Sequence, residues 1–206
     1  MKRFHRAVVA SLFLLASCGD DPPVHSRSIE DIEQSRRDAD RRIFTNEREA
    51  QRHETAFVRL WDAMRTGDPF AALLTFPFEG ITIPRPGESE TLSFSSFPIE
   101  RRIFSGSVDL LTTEVARQTL ASVNSTGWSI VQSEWHHDTF LPAEGGAPPR
   151  SLVSFEVHSE RPDSSERCIF KGKLIVHWKG RDDAAGIPVP GRLAVEELQV
   201  LRAQGP

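Results

Sequence analysis

Four strands are predicted in the segments WSIVQSEWHHDTF (128–140), SLVSFEVHSER (151–161), RCIFKGKLIVHWK (167–179) and RLAVEELQVLR (192–202). Each segment is rich in β-branched and apolar residues, and loops rich in Gly, Pro, Asp and Ser separate them. Connections as short as these join antiparallel neighbours. The last third of the chain is therefore predicted to form an antiparallel sheet of four strands.

The register of the first three strands follows from the positions of their loops. If each hairpin folds about the centre of its loop, Trp135 lies beside Phe155, and Phe155 lies beside Gly172. Further rows on this face hold Ser133, Val157 and Phe170, and then His137, Val153 and Leu174. The opposite face carries Glu134, Glu156 and Lys171, and then His136, Ser154 and Lys173. The sheet is thus expected to have one apolar face and one charged face.

The fourth strand contains a change of phase. Leu193 and Val195 are out of phase with Leu198 and Val200, and an extra residue at Glu196–Glu197 would return all four to one face. A β-bulge is therefore predicted at this position.

Helices are predicted upstream of the sheet. Asn46 and Glu49 have the spacing of a capping box, which divides the stretch before Gly67 into a charged stalk helix (27–45) and a packed helix (47–66). An imperfect heptad repeat makes a coiled coil the alternative for this stretch. Asp68 is expected to cap a short helix ending near Leu74. Further along the chain we expect extended segments over 76–83 and 92–104, a turn over 84–87, and a helix over 108–123.

The first 18 residues, MKRFHRAVVASLFLLASC, have a positive start, a ten-residue apolar run and small residues before Cys18. This pattern resembles the bacterial lipoprotein signal, whose lipobox ends in the cysteine that receives the lipid. The resemblance implies a signal peptide (1–17), lipid attachment at Cys18, and a tether (18–26). The protein would be exported, anchored to a bacterial membrane and face the periplasm, on the outer membrane if the cell is Gram-negative. A plain secretory signal is the alternative, whereas ten apolar residues are too few to span a bilayer.

Composition excludes several classes of function. The formal net charge of the chain is −4, and removal of the three positive charges in 1–17 changes it to −7. An acidic body without a basic cluster does not suit nucleic-acid binding. There is no tyrosine to act as an acid, base or nucleophile. If Cys18 carries lipid, Cys168 is the only other cysteine, and no internal disulfide can form.

The predicted order is helix, short helix, two strands, helix and four strands, and the phrase WDAMRTGD (61–68) closes the first packed helix. This order of helices and strands, together with the sequence WDAMRTGD, resembles the NTF2-like (SnoaL-like) family. The resemblance implies an α+β cone over 46–206, in which a curved antiparallel sheet of about six strands wraps three helices around a pocket. A cystatin-like domain is the alternative on architecture. The family contains isomerases, dehydratases, cyclases and members without known activity, so the fold does not decide function.

His137 is the candidate catalytic residue, because it falls on the apolar face, where a histidine can move protons near neutral pH. The alternative is that His137 is a structural residue at the edge of the core, hydrogen-bonded to the hydroxyl of Thr139 or Ser151. His136 and His137 point to opposite faces, so they do not form a metal site. Cys168 also falls on the apolar face and is expected to be a buried packing residue.

No residue set matches a catalytic motif, a cofactor loop or a metal site. The sequence therefore favours a non-catalytic, lipid-anchored NTF2-like module that binds a partner protein or a small apolar ligand at the cell envelope. The alternative is a small-molecule acid–base enzyme of the isomerase, dehydratase or cyclase type that uses His137 in the cone pocket. The expected partners are the membrane, through the N-terminal lipid, and an envelope protein or a second copy of the chain. No cofactor, metal or nucleic acid is expected.

Overall fold

The computed structural model describes residues 28–92 and 98–205. The predicted signal peptide, Cys18 and the tether lie outside these residues. The chain divides into two compact units, Met1–Asp40 and Arg41–Pro206. Within the described ranges, no helix combines the length and the apolar character that crossing a membrane requires.

Helix α1 runs without interruption over Ile29–Thr66, so the predicted break near Asn46 is wrong. The reciprocal cap lies instead at Ser28, whose Oγ accepts a hydrogen bond from the Asp31 amide while the Asp31 carboxylate accepts one from the Ser28 amide. No Gly or Pro occurs within α1, so the hydrogen-bond ladder continues past Asn46. The helix ends at Gly67, whose amide donates to the Ala63 carbonyl.

Helix α2 (Pro69–Thr75) confirms the predicted short helix and its cap. The Asp68 carboxylate accepts hydrogen bonds from the backbone amides of Phe70, at 2.9 Å, and Ala71, at 3.2 Å. Asp68 is therefore a capping residue, and its carboxylate satisfies two amides that the helix itself leaves without partners.

An open six-stranded sheet follows, in the order β1-β2-β6-β5-β4-β3. This confirms the expected α+β class and the number of strands. Neighbouring strands are antiparallel, and a short parallel pairing also joins the start of β1 to β6. The strands are β1 (Gly80–Leu92), β2 (Ile99–Thr112), β3 (Ser129–Leu141), β4 (Arg150–Arg161), β5 (Glu166–Asp182) and β6 (Pro188–Gln204).

Two predictions in the middle of the chain are wrong. The expected turn over 84–87 lies within β1, where the pairing with β2 shifts register around Pro86. The expected helix over 108–123 begins only at Thr113, because Val108 to Thr112 pair with β1. Helix α3 covers Thr113–Ser125, and the Thr112 hydroxyl caps it by accepting a hydrogen bond from the Val115 amide. None of the α3 residues is buried.

The predicted register of β3, β4 and β5 is confirmed. Trp135 pairs with Phe155, and Phe155 pairs with Gly172. The predicted bulge is also present, since Lys173 pairs with Glu197 and Leu174 with Val195, which leaves Glu196 without a cross-strand partner. A second bulge lies in β3, between His137 and Thr139.

The apolar face of the sheet, called here the inner face, packs against α1. Phe57 and Leu60 from α1 meet Val153, Val176 and Trp178 from the sheet, and all five are buried. Trp135 and Phe155 stack at 5.5 Å between ring centroids, and Phe57 lies 6.0 Å from Trp135. The inner face is thus filled by aromatic and aliphatic side chains.

Candidate functional site

His137 lies at the edge of the core and is bonded to a buried hydroxyl. Its Nε2 is 2.7 Å from Ser151 Oγ, and the indole Nε1 of Trp178 donates to the same oxygen at 2.9 Å. An indole N–H can only donate, so the serine oxygen accepts from Trp178, and its own proton is free to point at His137. Ser151 is 2% exposed. Of the two hydroxyls expected for His137, Ser151 is the partner, because the bulge at Asp138 turns Thr139 to the other face.

A second histidine, His53 on α1, lies close to this group. Its Nδ1 is 2.7 Å from the Glu49 carbonyl, which can only accept, so Nδ1 carries the proton. Its ring centroid lies 4.7 Å from those of Phe140 and Trp178. The sequence analysis did not identify His53 as part of this group. Its helical spacing to Ala56, Phe57 and Leu60 was the available signal.

Both histidines are held in the neutral form. Burial lowers the pKa of His53, and the neighbouring Arg52 lowers it further. Burial also lowers the pKa of His137, and the proximity of His53 lowers it further because two protonated rings would repel each other. Protonation of either ring would place a charge among the aromatic rings of Phe140 and Trp178.

The short contact between Ser151 and His137 has the length of a nucleophile–base pair, but its surroundings differ from those of a hydrolase. A nucleophile must reach a substrate, whereas Ser151 is buried and accepts the Trp178 proton. Within the described residues, no carboxylate is hydrogen-bonded to the other nitrogen of His137. Two concave regions, described below, are lined by other residues than His137.

Cys168 is buried, as expected, and burial raises the pKa of its thiol to about 11. The thiol is therefore protonated at neutral pH, which suits packing and not nucleophilic attack.

A buried carboxylate, Glu166, is a feature that the sequence analysis did not identify. It accepts hydrogen bonds from Arg161 Nη1 at 3.0 Å, from Ser164 Oγ at 3.1 Å and from Arg202 Nε at 3.0 Å. These donors, Arg202 above all, hold the pKa of Glu166 below its usual value. The cluster joins the start of β5 to β6 and is fully engaged within the protein.

The outer face of the sheet holds an open groove of about 700 Å³. Its floor is the expected charge ladder, in which Lys171 Nζ lies 3.2 Å from Glu156, and Lys173 Nζ lies 3.1 Å from Glu197. His158 Nε2 also contacts Glu156 at 2.7 Å, and together with Lys171 it lowers the pKa of that carboxylate. Positive and negative groups are therefore interleaved on the floor of the groove, and apolar residues, Ile103 and Phe104 among them, also line it.

A smaller cavity of about 190 Å³ lies between α1, α2 and the start of β6. Leu60, Phe76, Ile187 and Pro190 give it an apolar lining, and Arg59 stands among the polar residues that complete it. Its volume suits a small apolar group.

The outer histidines occupy the rows that their register predicts. His136 pairs with Ser154, and His158 pairs with Gln132. His177 pairs with Arg150. Across residues 28–92 and 98–205, no group of three or more His, Cys, Asp or Glu side chains is arranged to hold a metal ion.

Comparison of the chain with models of protein families, with curated proteins and with solved structures gave no match.

Proposed function

We propose that this chain is a lipid-anchored, non-catalytic module with an NTF2-like fold that binds a partner protein at the cell envelope. The lipobox resemblance supports the anchor at Cys18. The order of helices and strands, with a six-stranded sheet packed on α1, supports the fold. The anchor would hold the module at the periplasmic side of a membrane, where its partner would be found.

The observation that carries the binding function is the contrast between the two faces of the sheet. The inner face is filled by α1 side chains, and the candidate base His137 is engaged with buried Ser151. The outer face carries an open groove of about 700 Å³. An accessible groove with interleaved charges suits protein recognition, because such charges select a partner of complementary pattern.

The anchor is tested by Cys18→Ser. We expect the wild-type protein in the membrane fraction and labelled by an alkyne fatty acid, and the variant unlabelled and released from the membrane. An equal distribution of the two proteins between fractions would contradict the anchor.

The binding function is tested by photo-cross-linking in cells. A photoreactive amino acid at Ser154, in the groove, should give a discrete adduct with one protein of the envelope. The same amino acid at Glu144, in an exposed turn outside the groove, is the control. Identical adducts at both positions, or none at Ser154, would contradict partner binding through the groove.

An acid–base enzyme remains the second candidate, because a neutral histidine bonded to a hydroxyl is a competent proton acceptor. It requires a metabolite whose turnover by the purified protein falls by about 10²-fold or more in His137→Gln. Retention of turnover in that variant would exclude His137 as the base. The 190 Å³ cavity, which His137 does not line, would suit the small apolar ligand that a non-catalytic module could bind.

A further inference from the structure

The outer face carries a row in which two arginines flank a histidine. Arg150 pairs with His177, and His177 pairs with Arg192 on the next strand. Directly paired residues of an antiparallel sheet point to the same side, with Cβ atoms about 5 Å apart. The ends of the row are Leu141 and Gly80. Arg150, His177 and Arg192 are called the cationic row.

The cationic row is electrostatically unsatisfied in the protein alone. Arg150 and Arg192 stand on either side of His177, and their positive charges disfavour protonation of the histidine between them. After burial, Arg150 and Arg192 are the causes that lower the pKa of His177. Within the described residues neither arginine forms an ion pair, and Glu79, just before β1, is already paired with Lys179. Elsewhere on this face, Arg167 stands opposite Glu160, and the lysines of the groove are paired with glutamates.

An apolar row runs beside the cationic row, between it and the charged groove. Its members lie across five strands on the same face. Leu110, at one end, is 63% exposed, and the other members are half-buried. The apolar row consists of Leu152, Ile175, Ala194 and Leu110, with the polar Thr82 between the last two. An apolar strip bordered by arginines is the composition of a protein interface, in which arginine is enriched.

We propose that the cationic row and the apolar row together bind a segment of the partner protein that presents carboxylates beside apolar side chains. The inference rests on the proposed function, and it names both the chemistry of the partner and the surface that recognises it. The five strands of the apolar row span about 20 Å, the length of about six extended residues. The partner's carboxylates would pair with Arg150 and Arg192, and its apolar side chains would cover Ile175 and Leu110.

An anionic membrane is a poorer occupant of this surface. Glu134, Glu156 and Glu197 lie on the same face, in the rows beyond the apolar row. A bilayer laid against this face would meet these carboxylates as well as the arginines, and like charges would repel. A protein segment about 20 Å long can contact the two rows without reaching the carboxylates.

The test places a photoreactive amino acid at Leu141, at the end of the cationic row, in the full chain in cells. We expect an adduct with the same protein that Ser154 captures. Arg150→Glu/Arg192→Glu should reduce the adduct at Leu141 at least about tenfold, because both ion pairs become repulsive. Arg167→Glu, an exposed arginine on the same face, is the matched control and should change the yield less than about twofold.

Folding is checked on the single variant Arg150→Glu, which places an acidic side chain beside His177 and should keep the melting temperature. One outcome would overturn this inference and leave the proposed function standing. In that outcome both Ser154 and Leu141 give adducts, and Arg150→Glu/Arg192→Glu does not reduce the adduct at Leu141. If neither Ser154 nor Leu141 gives an adduct in the chain without the charge reversals, the result counts against the proposed function itself.

Membrane binding is measured separately, with purified full chain and vesicles of phosphatidylglycerol or phosphatidylcholine. We expect Arg150→Glu/Arg192→Glu and the unmodified chain to bind to the same extent to each kind of vesicle. Association with phosphatidylglycerol that depends on Arg150 and Arg192 would assign the rows to a lipid surface and overturn the assignment to a protein.

Discussion

The indole Nε1 of Trp61 donates a hydrogen bond of 2.7 Å to the backbone carbonyl of Ser133, 72 residues away along the chain. Ser133 lies on β3, which has a strand neighbour on one side only. The Ser133 hydroxyl also donates to the sulfur of Met64, one turn further along α1. Helix α1 therefore occupies part of an edge that would otherwise present a free carbonyl to other strands.

Replacement of Trp61 by Phe should destabilise the protein by about 1 kcal/mol, because the Ser133 carbonyl loses its donor while the apolar contact largely remains. Urea denaturation measures the free energy of unfolding. Arg65→Gln is the matched control, since Arg65 lies over the Trp61 ring at an exposed position. Equal stability of Trp61→Phe and the unmodified chain would show that the bond contributes nothing to folding.

Acidification should destabilise the protein through His53 and His137. The pKa of each is lower in the folded protein than its ordinary value of 6.5, so the unfolded chain binds more protons. Their contribution to stability is complete above pH 6.5 and is lost as the pH falls from there through the folded pKa values. Denaturation midpoints measured between about pH 5 and 8 give the dependence of stability on pH.

The pH slope should become shallower in His53→Phe, which removes one of the two groups. His136→Gln, at an exposed position of the outer face, is the control. If the two variants and the unmodified chain have the same pH profile, the assignment to His53 is wrong.

Gly172 should tolerate no side chain. A Cβ at this position would lie 2.9 Å from Phe155 Cζ and closer still to the Glu197 carbonyl. We expect Gly172→Ala to cost about 1–3 kcal/mol, as overpacking does. Phe155→Leu in the same chain should recover part of the loss, which a double-mutant cycle measures; strict additivity would contradict a clash with that ring.

Glu166→Gln should destabilise the folded protein near neutral pH, because Arg161 and Arg202 lose their common carboxylate. The folded pKa of Glu166 lies below its ordinary value of 4.5, so its contribution is present above pH 4.5 and is lost as the pH falls through the folded pKa. The difference in stability between Glu166→Gln and the unmodified chain should therefore become smaller at acidic pH. Glu144→Gln, in an exposed turn, provides the comparison in thermal melts.

Sequence patterns predicted the β3–β5 register because the period of two in a half-buried strand allows one alignment only. A slip of one residue would turn Trp135 and Phe155 into water. The start of α3 was not predictable in the same way. Val108 and Leu110 are apolar but exposed, and their pairing with β1 is a long-range contact that local periodicity does not contain.

The candidate site was predicted only in part. The face of His137 followed from the register, and Ser151 was one of the two hydroxyls expected beside it, whereas His53 approaches from a helix more than 80 residues earlier in the chain. The continuity of α1 was also missed, because a capping signal at Asn46 states a local preference that the rest of the helix outweighs.

Two of the bulges, at Asp138 and Glu196, lie on either side of the row formed by His137, Val153, Leu174 and Val195, and the outer face changes from ionic to apolar across that row. Deletion of Asp138 would remove only the irregularity: Thr139 would follow His137 directly, with Phe140 still inward beside His53 and Leu141 still outward. A bulge at each of these points is what allows His137 and Val195 to face inward at the boundary where the exposed surface changes its character.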